Sequence, residues 1–335
     1  MTLNRICSNL LAVLGCLLLA ACGEDRPGGD PEPGPGPEPP GEVTLETSRK
    51  PLIITEQASA SVVIVDLPTG KELWRWTATD SPQTAPYAYE FALPCEAKAV
   101  NGRNHILLVS SRQRGAAALI RVADKNVLFC AVVRGNPHSA ELLPDGNIVV
   151  ACSDDNKLEV YRPNADGAPF VSAAVSSLPM EFAHNVLWDR KRNCLWSAAG
   201  KSPVLYKLAY DTATAKLSEQ AAAPLPDGNS DAHDLVPVAF RDALYLTTNE
   251  HVYTYDPAGG HFDLATEFSH RQHVKSIAAA SGQQTLVTYP EEGCDPSWCT
   301  TKVTDMAGGT SYRNSAFRIY KVRWYAADTF SSTPD

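Results

Sequence analysis

The chain is predicted to be all-β: a six-bladed β-propeller of four-stranded antiparallel blades. Three observations predict it. Histidines open the strand-like runs His138-Ser-Ala-Glu-Leu-Leu, His184-Asn-Val-Leu-Trp, His233-Asp-Leu-Val-Pro and His273-Val-Lys-Ser-Ile. Their spacings of 46, 49 and 40 residues fit one four-stranded blade each. Short β-branched or aromatic runs, ended by Asp, Pro, Asn or Gly, recur at matching places in every interval. No long stretch carries the 3.6-residue period of an amphipathic helix. A β-sandwich also uses short strands, but it does not require a period held across six units.

The elements follow from that period. Second strands are expected at Ile53-Ile-Thr55, Ile106-Leu-Leu-Val109, Ile148-Val-Val150, Leu195-Trp-Ser197, Leu244-Tyr-Leu246 and Leu286-Val-Thr288. Third strands include Val62-Val-Ile-Val65, Leu158-Glu-Val-Tyr161, Val204-Leu-Tyr-Lys-Leu208 and Val252-Tyr-Thr-Tyr255. First strands begin near Cys95, His138, His184, His233 and His273, and a Leu-Pro-Asp-Gly turn at Leu143 joins one first strand to its second. The first unit lacks a good first strand, 42–47 being a poor one. The last carries an insertion over 291–313 before Phe317-Arg-Ile-Tyr-Lys-Val-Arg-Trp324. The way the ring closes is therefore open, and a seventh blade has no second-strand run to support it.

Residues 1–21 read as an export signal: Arg5, an apolar stretch at 10–19, then Leu19-Ala20-Ala21-Cys22. The apolar stretch is about half the ~20 residues a spanning helix needs. Residues 22–41 follow as Cys22 and a stalk; 27–41 holds seven Pro, five Gly and three acids. Such a segment cannot bury apolar surface, and as extended polyproline it reaches roughly 45 Å at ~3.1 Å per residue. The propeller is expected over 42–335. The formal net charge is −9, and losing Arg5 with the signal makes it −10. An acidic chain without basic runs excludes nucleic acid as the natural partner.

Six of the nine cysteines lie beyond Cys22. Cys294 and Cys299 flank Asp-Pro-Ser-Trp, a turn that suits a loop-closing disulfide in an oxidising compartment. Cys95, Cys130, Cys152 and Cys194 sit in apolar runs and read as small buried hydrophobes. No zinc spacing, phosphate-binding Gly loop, Gly-x-Ser-x-Gly elbow or HExxH helix is present.

In a propeller, first strands line the channel, so residues that open them meet at one mouth. His138, His184, His233 and His273 converge there, with Glu141, Asp234, Lys98 and Lys275 beside them. Loops between second and third strands bring Asp154, Asp155, Asn249, Glu250, Glu291 and Glu292 to the same face. Three readings stand. The histidines bond neighbouring blades together. They line a polar ligand pocket, carbohydrate or an envelope protein being the expected ligand. Or His138, His184 and His233 hold a divalent metal or act as acid and base on an anionic sugar, Glu141 or Asp234 orienting them and Lys98 or Lys275 meeting the substrate charge. Whether the chain is an enzyme stays open, and no cofactor is required.

Leu19-Ala20-Ala21-Cys22 resembles the lipobox of bacterial lipoproteins, and Glu24-Asp25 resembles the export signal of Bacteroidetes surface lipoproteins; the resemblance implies lipid on Cys22 and attachment to the outer membrane, and the expected body is a monomer facing the cell surface or the periplasm. Pro137-His-Ser-Ala-Glu-Leu-Leu-Pro-Asp-Gly146, Ala183-His-Asn-Val-Leu-Trp188, His233-Asp-Leu, Val274-Lys-Ser276 and Ile319-Tyr-Lys-Val-Arg-Trp324 together resemble a family of uncharacterised six-bladed propeller lipoproteins of Bacteroidetes. That resemblance implies fold and location, and no activity. His138 with its Leu-Pro-Asp-Gly turn is loosely similar to arylsulfotransferase-type propellers. The histidine cluster is similar in architecture alone to oligogalacturonate lyases, and fold does not carry activity.

Overall fold

The computed structural model describes residues 43–331. The leader, Cys22 and most of the expected stalk lie outside the described residues.

The described residues form 24 strands in six antiparallel sheets of four. Blade 2 comprises β4 (Pro94–Val100), β5 (His105–Ser110), β6 (Arg114–Arg121) and β7 (Val127–Arg134). Blade 3 follows with β8 (Pro137–Leu142), β9 (Ile148–Cys152), β10 (Lys157–Tyr161) and β11 (Ser176–Pro179). Blade 4 holds β12 (Leu187–Asp189), β13 (Cys194–Ala198), β14 (Val204–Asp211) and β15 (Lys216–Pro224). In blade 5 the strands are β16 (Asp234–Pro237), β17 (Leu244–Thr247), β18 (Val252–Asp256) and β19 (His261–Leu264). Blade 6 has β20 (Ser276–Ala278), β21 (Leu286–Thr288), β22 (Lys302–Asp305) and β23 (Thr310–Arg313).

Blade 1 closes the ring. Its outer strands are β1 (Pro51–Glu56), β2 (Ser61–Asp66) and β3 (Glu72–Thr77), and its innermost strand is β24 (Ile319–Trp324), from the far end of the chain. Leu52 pairs with Trp324, Ile53 with Arg323 and Ile54 with Val322. The Thr55 hydroxyl donates to the Lys321 carbonyl, and its oxygen accepts from the Lys321 N–H. The weak strand expected at 42–47 is therefore unnecessary. The expected insertion over 291–313 is corrected as well: it contains β22 and β23, and only the loop between β21 and β22 is irregular. Cys294 and Cys299 are bonded in that loop.

Inner strands are buried on both faces, so they read as continuous apolar runs and not as alternating ones. Val62, Val63, Ile64 and Val65 are all at most 1% exposed. Alternate side chains serve different cores. Ile53, Val62 and Ile64 pack with Ile106, Leu108 and Ala118 of blade 2. Leu52, Ile54, Val63 and Val65 pack with Ala278, Leu286 and Val303 of blade 6. Each of the six apolar clusters fills one seam between neighbouring blades. Every blade thus depends on two neighbours, which is why the ring must close.

Candidate functional site

Blades twist outward from their first strands, so the starts of β8, β12, β16 and β20 surround one mouth of the channel. His138 lies inside β8, His233 directly precedes β16, and His184 and His273 stand three residues before β12 and β20. The rings of His138 and His184 stack at 4.1 Å between centroids, and His233 meets His184 edge-on at 5.5 Å. Phe182 stacks on His184 from its other side, at 5.6 Å.

Backbone and hydroxyl partners fix the tautomers. The His138 Nδ1 lies 2.8 Å from the Asn136 carbonyl, which only accepts, so Nδ1 carries the proton. The Ser153 hydroxyl gives its proton to the Ala183 carbonyl at 2.9 Å, and so it accepts from His184 Nδ1 at 3.2 Å. His184 Nε2 is then a lone-pair acceptor, buried and without a hydrogen-bond partner. Such a group costs about 1–3 kcal/mol relative to a satisfied one.

Around His233 the count fails in a different way. Its Nε2 stands 2.7 Å from Asn249 Oδ1 and 2.8 Å from Lys275 Nζ. One ring nitrogen serves one of them. Donating to Asn249 leaves the Lys275 ammonium facing an N–H; accepting from Lys275 leaves Nδ1–H, which is buried without a partner. In both cases a donor at this mouth is unmatched. His273, which is exposed, joins only through Asn249 Oδ1, 3.2 Å from its Nδ1.

Burial keeps these rings neutral. It lowers the His138 pKa to about 4 and that of His233 to about 3, with the Lys275 charge second in the case of His233. His184 is pushed well below its ordinary value by burial and then by its two histidine neighbours. Burial, then the Lys321 charge, brings Lys275 down to about 8.

Lys98, Glu141 and Asp234, expected in the pocket, lie deeper. They belong to a buried ion network with three residues the sequence reading did not single out: Glu96, Lys321 and Arg323. Arg323 bridges Glu96 and Asp234 at 2.6 Å each, and Lys321 meets Asp234 at 3.0 Å. Lys98 reaches Glu141 at 3.1 Å and Glu96 at 3.4 Å. Three cations balance three carboxylates. Burial opposes the charge on Glu96, but Lys98, Lys321 and Arg323 overrule it and bring its pKa to about 2. Among the described residues Lys98 is the one ion-pair partner of Glu141, and burial raises the Glu141 carboxyl to about 7. The network ties β4, β8, β16 and β24 across the channel. Its sequence signal was present: Glu96/Lys98 and Lys321/Arg323 are pairs at i, i+2 on one face of apolar strands.

On the mouth side of the network a polar cleft of about 430 Å³ is lined by Asp227, Asp231, Asn249, Glu250, Gln272 and His273; Asn249 joins it to His233, while His138, His184, His233 and Lys275 do not line it. Asp227, Asp231 and His273 have left-handed backbone, φ 56°, 61° and 57°, a conformation that costs non-glycine residues of order 1 kcal/mol or more each. Asp154, Asp155 and Glu292 do not line this cleft. Glu291 is held by Thr301 and Lys302, away from it.

Among the described residues no group of three His, Cys, Asp or Glu side chains is arranged to hold an ion. The four remaining cysteines are buried, and burial raises Cys95 to about 12 and Cys130 and Cys194 to about 11, which makes them inert.

Residues 8–335 match a family of unknown function, DUF6528. No curated protein matches the chain. A protein of unknown function from Bacteroides caccae superposes with a TM-score of 0.53 at 11% identity, covering 82% of this chain and 98% of that one. A functionally unknown protein from Desulfotomaculum acetoxidans gives 0.52 at 10% identity, covering 79% of each. A chain of a nidogen/laminin complex gives 0.54 at 12% identity, covering 82% of this chain and 98% of its own. At these identities the likeness shows the propeller fold alone.

Proposed function

The chain belongs to the DUF6528 family, and from that premise we propose that it binds a hydroxyl-rich ligand of the carbohydrate class at the histidine-lined mouth of its channel. One observation carries this reading: a buried acceptor without a partner, His184 Nε2, stands beside an unmatched donor at His233 and Lys275. A hydroxyl group is donor and acceptor at once, so adjacent hydroxyls satisfy both. The cleft that Asn249 joins to His233 has room for a sugar residue, and its carboxylates and amides are acceptors and donors for further hydroxyls. Lys275 supplies a cation for a sugar acid.

Calorimetry with neutral and acidic sugars tests it. His184→Phe keeps a ring that can stack but is larger and loses both ring nitrogens, the Nε2 acceptor and the Nδ1–H that Ser153 accepts. It is expected to weaken binding about tenfold or more, since a buried unsatisfied polar group costs about 1–3 kcal/mol, with circular dichroism checking that the variant folds. Equal binding by this variant, or no sugar bound at all, refutes the reading. Metal analysis decides the lyase or hydrolase alternative. Stoichiometric metal lost in the His184→Ala/His233→Ala double variant would favour it.

Location follows from the same proposal. Lipid on Cys22 would tether the propeller to the outer membrane by the Pro/Gly segment. In support, no helix of the described residues is long and apolar enough to cross a membrane. Cys22→Ser should release the protein to the soluble fraction; retention in the membrane would refute the anchor.

A further inference from the structure

At the opposite mouth the first strands end, and there the chain builds a second cavity. It holds about 780 Å³ and is lined by the turns after β12, β16 and β20 and by the segment that follows β24. That segment crosses from blade 1 to blade 4, its diametric opposite. The Ser331 hydroxyl donates to the Trp188 carbonyl at 2.8 Å, the Arg190 N–H to the Phe330 carbonyl at 3.3 Å, and Phe330 packs on the seam of blades 4 and 5. Residues 325–331 thus form a strap across this mouth and one wall of the cavity. The buried network of Glu96, Lys98, Glu141, Asp234, Lys321 and Arg323 lies between this cavity and the histidine face: Lys98 and Arg323 line the cavity, and Lys321 donates to the His233 carbonyl at 2.9 Å.

The lining is amphipathic. Leu187, Leu235, Val236, Ile277, Trp324 and Phe330 give an apolar interior, and Phe240 stands 73% exposed at the rim. Five cations line the cavity against two acids, Asp242 and Asp328. Lys98 and Arg323 are committed to the buried network, and Lys191 to Asp242 at 2.5 Å. Arg190 and Arg241 have no carboxylate partner among the described residues. Two guanidinium groups without a carboxylate partner among the described residues, beside an apolar cavity, select an anion with an apolar body.

We infer that this cavity is a binding site for an amphipathic monoanion, a medium-chain carboxylate or a molecule of the same chemistry, whose tail fills the apolar interior and whose carboxylate meets Arg190 and Arg241. The test is calorimetry on the full chain with dodecanoate, dodecan-1-ol and dodecyltrimethylammonium. Dodecanoate should bind one per chain. The Arg190→Ala/Arg241→Ala variant should weaken it roughly three- to tenfold, as expected for exposed charge pairs, and bring it to the level of the alcohol. Ala279→Trp should block the cavity, with circular dichroism checking that the variant folds; if it does not fold, the arginine variant still decides. His184→Phe, at the other mouth, should leave dodecanoate binding unchanged. No binding of dodecanoate, undiminished binding by the arginine variant, equal binding of the ammonium amphiphile, or loss in His184→Phe would each overturn the proposal.

Discussion

Acidification is the perturbation that reads the histidine face most directly. An imidazole whose folded pKa lies below its unfolded value near 6.5 takes up its proton first in the unfolded chain. Stability is therefore full above that value and falls as pH drops towards the folded pKa. With folded values of about 4 for His138 and about 3 for His233, moving from pH 7 to pH 5 costs about 2 kcal/mol for each, or about 4 together. His184 acts in the same direction. Glu141 opposes them. Its folded pKa of about 7 lies above its ordinary 4.5, so the folded protein protonates first and gains about 2 kcal/mol over the same interval. The net expectation is a loss of about 2 kcal/mol before His184 and more with it. Urea unfolding followed by tryptophan fluorescence at pH 7, 6 and 5 measures this directly. Glu141→Gln removes the opposing term and should steepen the loss to about 4 kcal/mol or more. Equal or greater stability at pH 5 than at pH 7 in the parent would refute the buried, neutral placement of the rings.

Three further outcomes test the architecture. Arg323→Met leaves Glu96 and Asp234 buried with fewer cations and should destabilise the fold by about 3–5 kcal/mol in urea unfolding; a cost below 1 kcal/mol would mean that water reaches the network. Truncation before Ile319 removes β24, opens blade 1 and strips the seam shared with blade 6, so the cooperative thermal transition followed by circular dichroism should disappear. Paired Cys294→Ser and Cys299→Ser changes open a loop closed over a separation of only 5 residues. They should cost about 2 kcal/mol or less in the oxidised protein and nothing under reducing conditions.

Much of the propeller was legible because its signals are local. Val62-Val-Ile-Val65 or Leu244-Tyr-Leu246 declare strands by composition, and Leu143-Pro-Asp-Gly146 declares its own turn. Ring closure was not legible in the same way. Val322 pairs with Ile54 across nearly the whole described chain, and nothing within either segment marks the other as partner. The candidate site was half legible. The period brought His138, His184 and His233 to one face, where they do meet. Lys98, Glu141 and Asp234 were expected with them, yet opposite charges on facing first strands satisfied one another deeper in the channel. Charge–charge matching between strands distant in sequence has no periodic signature, so Glu96, Lys321 and Arg323 went unnoticed although each is charged in an apolar run.

By itself the sequence determined how many blades there are, which runs are central strands, and that several histidines share one end of the first strands. These follow from backbone period and residue type, which are properties of short segments. The tertiary structure alone decided which strand closes the ring, which charges neutralise which, and that the strap after Tyr325 builds a second cavity. It also decided that the rings of His138 and His184 stack. Those depend on the relative placement of segments far apart in the chain, and only the packed seams between blades fix that placement.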